Sequence, residues 1–311
     1  MSTTQSTVEN EDLSVEIQID HYVDYLQSLI DKDGPDPEDY EDLDIWITDI
    51  YELLKEGRIS EEQRVRMLKP FEKTLTLDSM QGFTFLKPHG YAGDFEIIDR
   101  IYRRQISDKK HLKKWDTYFH YIDSTDAVRN RLPYLSKSIS PFLKDHQGTF
   151  EVLNIASGPG RDMLNFFQEN PDADIQFDCV EQDLNAIKHA EKLCDPYSDR
   201  ISFTAKNALR FNTDKQYDLV WSAGLFDYFN DKLFIFMLKR MRHMAKKGGR
   251  IIVGNSVSTN NPAHLALFDW HLFHRGLQTL KALGTAAGFQ KSQIEVIKEP
   301  SGKNAFLHIQ L

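Results

Sequence analysis

Apolar positions along the chain change rhythm near residue 150. Ile19, Val23, Leu26 and Ile30 recur at helical spacing, after a polar stretch, 1–14, that predicts a disordered tail. The run "DKDGPDPEDYED" then breaks the pattern, and Asp44 stands as the cap of a helix carrying Ile47, Ile50 and Leu54. Ser60-Glu61-Glu62-Gln63 is a capping-box pattern that opens another helix through about Leu68. Helical spacing continues through 95–106, 109–122 and 125–143, and no strand-like alternation occurs before 150.

From Phe150 strand-like and helical runs alternate. "EVLNIA", "IQFDCVE", "ISFTAK", "YDLVWSA" and "RIIVGN" read as strands, with helices near 161–169, 183–194 and 230–246. That alternation predicts βαβ units and a parallel sheet. "QIEVIKE" and "AFLHIQL" flank Pro300-Ser301-Gly302-Lys303-Asn304 and predict an antiparallel hairpin at the end. The expected organisation is a tail over 1–14, a helical N-terminal lid or acceptor domain over 15–149 and an α/β doubly wound domain over 150–311.

The stretch "VLNIASGPGRD", 152–162, compresses a strand, a glycine turn and a helix start into eleven residues. Such a turn turns backbone N–H groups toward a nucleotide-like ligand, which in an open α/β sheet sits outside the carboxyl ends of the strands. Three other features fall at those ends. Glu181 closes the second strand, where a carboxylate can accept both ribose hydroxyls; Lys206-Asn207-Ala208 closes the third; Ser222-Ala223-Gly224 closes the fourth.

With these residues in place, 150–311 resembles a class I S-adenosylmethionine-dependent methyltransferase, a Rossmann-like fold whose last strand is inserted antiparallel. The family's first motif, acidic-x-Gly-x-Gly-x-Gly, reads here Asn154-x-Ala156-x-Gly158-x-Gly160, so Asn154 replaces the acid and Ala156 the first glycine. The resemblance implies S-adenosyl-L-methionine as cofactor and S-adenosyl-L-homocysteine as product. It implies a cofactor site of Ala156, Ser157, Gly158, Gly160, Glu181, Gln182, Asn207, Ala208, Ser222, Ala223 and Gly224. A dinucleotide dehydrogenase shares the fold, but its fingerprint wants a third glycine where this chain has Met163. "KPHGYAGDFEIIDRIY", 87–102, and "HLALFDWHLFHR", 264–275, resemble a bacterial methyltransferase group annotated for 3-hydroxypalmitic acid methyl ester synthesis.

On the acceptor side, Gly90 and Gly93 shape a compact loop that gathers His89, Tyr91 and Asp94; it reads as a lid segment, or as a turn whose Asp94 caps the next helix. "FDWHLFHR" reads as one helical stretch in which His271 and Arg275 share a face at i,i+4. His271, Tyr91 and His89 are the catalytic candidates. Phe226, Asp227, Tyr228, Trp270 and Arg275 are the candidate acceptor-binding residues. A base is needed only when the acceptor arrives as a protonated hydroxyl or ammonium.

Composition narrows the alternatives. The chain has 311 residues and a formal charge of −9, with 17 acidic and 2 basic residues in the first 56. The basic run at 99–115 could bind RNA, but a solvated face or docking on the chain's own acidic segment is the plainer expectation. Cys179 and Cys194 lack metal-ligand spacing and read as buried free thiols, and no cluster has the spacing of a metal site. No apolar run approaches a membrane span, and the polar N-terminus fits no secretory signal, so a cytoplasmic protein is expected. The expected function is methylation of a small-molecule acceptor at oxygen or nitrogen, on a carboxylate or hydroxyl, with a homodimer as a possible assembly. The alternatives are an RNA or protein methyltransferase and a non-catalytic S-adenosylmethionine-binding regulator.

Overall fold

A computed structural model describes residues 2–257 and 261–311, with side chains from Glu16 onward. The chain forms two compact units: 1–93 with 104–122 and 261–270, and 94–103 with 123–260 and 271–311. A boundary at 149, drawn where strands begin, differs from this division because helices before residue 150 pack on the sheet.

The second unit is built on a seven-stranded sheet in the order β3-β2-β1-β4-β5-β7-β6. Its strands are β1 (Phe150–Ile155), β2 (Ile175–Glu181), β3 (Ile201–Ala205), β4 (Tyr217–Ser222), β5 (Ala245–Ser256), β6 (Ile294–Lys298) and β7 (Asn304–Gln310). β7 pairs antiparallel with both β5 and β6, and every other pairing is parallel. Both faces are covered, so the central strands are apolar almost throughout rather than alternating with polar residues.

Successive residues serve opposite faces. Val152, Leu219, Trp221 and Phe306 join one core with Phe166 and Phe167 of α9 (Arg161–Glu169). Tyr134, Leu135 and Ile139 of α8 (Arg131–Leu143) complete that core. The Tyr134 ring stacks on Phe306 at 3.7 Å between centroids, and its hydroxyl meets His308 Nε2 at 2.9 Å. Leu153, Ile155, Val220 and Leu307 face the other core, filled by Phe234, Met237 and Met241 of α11 (Asp231–Met244) and Leu280 and Leu283 of α13 (Leu277–Ala286). The remaining helices of this unit are α5 (Phe95–Tyr102), α7 (Asp123–Arg129) and α10 (Leu184–Leu193). Asp94 caps α5 by accepting the N–H groups of Glu96 and Ile97.

The first unit is helical: α1 (Ser2–Asp31), α2 (Tyr40–Lys55), α3 (Glu61–Leu68), α4 (Met80–Leu86), α6 (Lys110–Tyr121) and α12 (Ala263–Ala266). From Ser2 onward the stretch expected as a disordered tail, 1–14, belongs to α1, and its side chains lie outside the described residues. The capping box at the start of α3 forms, with Ser60 and Gln63 reciprocally bonded. Asp44 is not a cap, because α2 begins four residues earlier at Tyr40. Its Oδ1 instead accepts from the Tyr118 hydroxyl at 2.5 Å and meets His264 Nε2 at 2.8 Å.

The basic run is answered by acids within each unit. Arg100 pairs with Glu96 and Arg103 with Asp99, while Lys110 pairs with Asp33 and Lys114 with Asp36, both at 2.8 Å. No helix among the described residues is long and apolar enough to cross a membrane.

Candidate active site

The glycine turn sits at the carboxyl end of β1, as its sequence requires. Ala156, Gly158 and Gly160 all have left-handed backbone, with φ of 56°, 56° and 74°. A Cβ at Gly158 would meet no atom within 4 Å beyond its chain neighbours, so the turn is open there. Gly160 is the N-cap of α9, and a Cβ there would come within 2.9 Å of Ala190 Cβ.

Alanine in the left-handed region costs on the order of 1 kcal/mol or more, and Ala156 bears that cost where the family motif has glycine. Ala156→Gly is expected to stabilise the protein by about 0.5–1 kcal/mol, part of the strain relief being offset by the freer unfolded chain. A rise in the urea midpoint at unchanged slope is the expected result. A fall would show that packing of the methyl group outweighs the backbone strain.

Glu181 is buried and holds the turn to the second strand. One carboxylate oxygen accepts the Gly158 N–H at 3.1 Å, and the other accepts those of Gln182 and Asp183 at 2.7 and 3.0 Å. Beyond it, Asn207 Nδ2 donates to Gln182 Oε1 at 2.8 Å, and Ala208 packs against the core. Ser222 donates to the Ile155 carbonyl at 2.9 Å and is fully buried, so its hydroxyl is a tie between β4 and β1. Ser157 is buried too, with no partner for its hydroxyl beyond an approach to the Cys179 thiol. Ala223 and Gly224 follow at the end of β4.

Sequence reading missed Asp162, Asp99 and Arg131. Asp162 is buried beside Asn154, accepting the Met163 N–H at 2.9 Å and a long bond from Asn154 Nδ2 at 3.4 Å. Burial pushes its carboxyl up to about 6. Its place in the first turn of α9 is ordinary for an acid, so the sequence gives no sign of it. Asp99 of α5 faces Arg161 and Arg103; burial pushes its carboxyl up, but the two guanidinium groups outweigh this and hold it below the usual range. Arg131, the first residue of α8, pairs with Asp227 Oδ2 at 2.7 Å, while Asp227 Oδ1 accepts the Ser256 N–H at 2.6 Å. An arginine opening an otherwise apolar helical stripe was the available signal.

The acceptor-side candidates separate. "FDWHLFHR" is not one helix: α12 ends at Ala266, Asp269 takes a left-handed conformation (φ 59°), and 270–274 is irregular. His271 and Arg275 therefore share no helical face. His271 is exposed, and Arg275 is buried and committed to the core through Asp231, Asn255 and the Phe226 and Phe229 carbonyls. Phe226 is a core residue and Asp227 is the buried partner of Arg131, whereas Tyr228 is 38% exposed. In the other unit, His89 and Tyr91 are half-buried, with His89 against Phe83, and Trp270 is buried. Both cysteines are buried free thiols, and burial pushes Cys194 up to about 12. Among the described residues no group of three or more His, Cys, Asp or Glu could hold a metal.

Residues 152–249, from β1 into β5, match the protein family described as methyltransferase domain. The match lies within the core of the second unit. No curated protein matches the chain. A "possible exported protein" from Bordetella parapertussis superposes with a TM-score of 0.59 at 16% identity, covering 95% of this chain and 96% of that one. The N-methyltransferase NodS from Bradyrhizobium japonicum WM9, solved with S-adenosyl-L-homocysteine, gives a TM-score of 0.43 at 16% identity, over 59% of this chain and 87% of that one. Magnesium protoporphyrin IX methyltransferase from Synechocystis PCC 6803, solved with bound S-adenosylmethionine, gives 0.46 at 9% identity, over 61% and 82%. The strand order and the antiparallel β7 are those expected of such a domain.

Asp162, buried, and His308, half-buried, titrate in opposite senses in the second unit. Asp162, raised to about 6, is destabilising when ionised, a cost fully present above pH 6 and gone near pH 4. His308 is lowered to about 4, by burial first and the nearby Arg250 second, so its contribution is lost as pH falls through the same window. Wild-type stability should therefore change little between pH 4 and 6 on their account. Asp162→Asn should add about 3 kcal/mol near neutrality and expose the fall with acid that His308 produces. Denaturant titrations at several pH values would show it; parallel pH profiles for variant and wild type would refute it.

Proposed function

We propose that the protein is an S-adenosylmethionine-dependent methyltransferase acting on a small-molecule acceptor, by O- or N-methylation. The observation that carries this reading is the open, left-handed turn at the end of β1, held by Glu181 at the carboxyl ends of the parallel strands. The turn leaves open the space beside Gly158 where a Cβ would stand, and a nucleoside cofactor fits that chemistry. Glu181 uses three of its roughly four lone-pair positions on backbone N–H groups. It retains one for a ribose hydroxyl, so the pair of bonds expected from the sequence is reduced. On this reading Gln182 and Asn207, which are bonded to each other, would meet the adenine edge.

S-adenosylmethionine would supply a methyl group already activated on a sulfonium. The chain's own residues then need to align the acceptor and exclude water. The ion pairs along the basic run disfavour an RNA substrate, since Arg100, Arg103, Lys109, Lys110 and Lys114 already have acidic partners. The test is calorimetry with S-adenosylhomocysteine, followed by incubation of labelled S-adenosylmethionine with fractionated cell extract and identification of the labelled product. Binding together with a labelled small molecule is the expected result. Label in RNA or protein would redirect the reading, and absence of binding would end it.

A further inference from the structure

Gly224, at the end of β4, is hemmed in by a single group. A Cβ built there would lie 2.7 Å from Nη1 of Arg131, with no backbone atom nearby. The glycine therefore serves to let a guanidinium reach the carboxyl end of the strand. Arg131 is 7% exposed, and of its three nitrogens only Nη2 is engaged, on Asp227. Nε is buried without a partner, and no bond is made by Nη1. Asp227, for its part, is satisfied by Arg131 and by the Ser256 N–H.

A buried guanidinium with two idle nitrogens is a costly arrangement unless something else uses them. Nη1 keeps both of its N–H donors, and a guanidinium donor of this kind makes a strong charge-assisted bond to a carboxylate. Tyr102 of α5 lies within electrostatic range of the same arginine, and burial pushes its phenol well above the ordinary value, so it stays a neutral hydroxyl donor. The neighbourhood thus offers donors and a positive charge, next to a strand end where ligands of this fold sit.

We propose that Arg131 is a carboxylate-recognition residue at the end of β4. The inference rests on the methyltransferase reading, and the carboxylate has two sources in that reaction: the methionine portion of the cofactor, or an acidic acceptor. The group is the same in both cases; the experiment separates the sources.

Calorimetry would compare S-adenosylhomocysteine, which carries the carboxylate, with 5′-methylthioadenosine, which lacks the amino-acid portion. Arg131→Met strands the buried Asp227, so Gly224→Ala is measured beside it: the added methyl displaces Nη1 and leaves the charge present. If the cofactor supplies the carboxylate, both variants bind S-adenosylhomocysteine at least tenfold more weakly and 5′-methylthioadenosine as wild type does. Arg131→Lys then recovers part of the loss, which a merely structural role would not produce. If the acceptor supplies it, nucleoside affinities stay unchanged, and benzoate or octanoate, titrated into the S-adenosylhomocysteine complex, binds wild type but neither variant. Unchanged binding of all four probes in a folded Gly224→Ala protein overturns the proposal. Failure of wild type to bind either nucleoside would instead strike the methyltransferase reading.

Discussion

A chain that begins at Phe150, keeping every strand and discarding every helix before them, is expected not to fold. Its sheet would be complete, yet the face bearing Trp221 and Phe306 would lose α8, whose Tyr134, Leu135 and Ile139 are buried against it. Each such side chain contributes about 1.5–3 kcal/mol when buried, against a total stability of about 5–15 kcal/mol. The exposed aromatic face would also promote association. The expected result is a protein without a cooperative thermal transition. A chain that begins at Asp123, restoring α7 and α8, should regain that transition. A two-state melt from the shorter chain would show that α8 is peripheral.

The second large effect is expected at Arg275. Its guanidinium reaches Asn255 Oδ1 at 2.7 Å, Asp231 Oδ1 at 2.9 Å and the carbonyls of Phe226 and Phe229, with Phe234 beneath it at 4.8 Å. Asp231 is largely exposed and can return to water, but the two carbonyls and Asn255 cannot. Arg275→Ala should therefore cost about 3–5 kcal/mol, the range for breaking a buried charged network. Arg275→Lys should restore little, because an ammonium cannot serve four acceptors in one plane. A loss under 1 kcal/mol in urea denaturation would mean that water replaces the guanidinium freely.

Helix α8 and Arg275 also mark what could be read from the sequence. The strands, the turn and the helix over 161–169 are local: alternation, glycine and helical spacing fix them within a dozen residues. Arg275 was misread because "FDWHLFHR" has helical composition, while its course is set by the left-handed Asp269 and by the pull of Asn255 and Phe229 on the arginine. α8 was read correctly as a helix, but nothing in its own pattern says that its apolar stripe belongs to the sheet. α13 went unread because Gly284 and Thr285 weaken an otherwise regular Leu277, Leu280, Leu283 series. α4 is short and interrupted by Gly82. Asp44 looked like a cap because acids favour that position; its partners Tyr118 and His264 lie 74 and 220 residues away, beyond any local rule. Glu181 was correctly picked out at a strand end, but its three backbone partners depend on how the turn closes.

The contact between Gly160 and Ala190 has an evolutionary corollary. The first helical turn of α9 can pass α10 only because position 160 has no side chain and position 190 has one carbon. The two sites are thus one steric unit separated by thirty residues of chain. Substitution at either should be tolerated only in step with the other, so their variation among relatives should be coupled. A relative carrying valine or leucine at the position of Ala190 should display a shifted α10, or a turn that no longer opens toward a nucleoside.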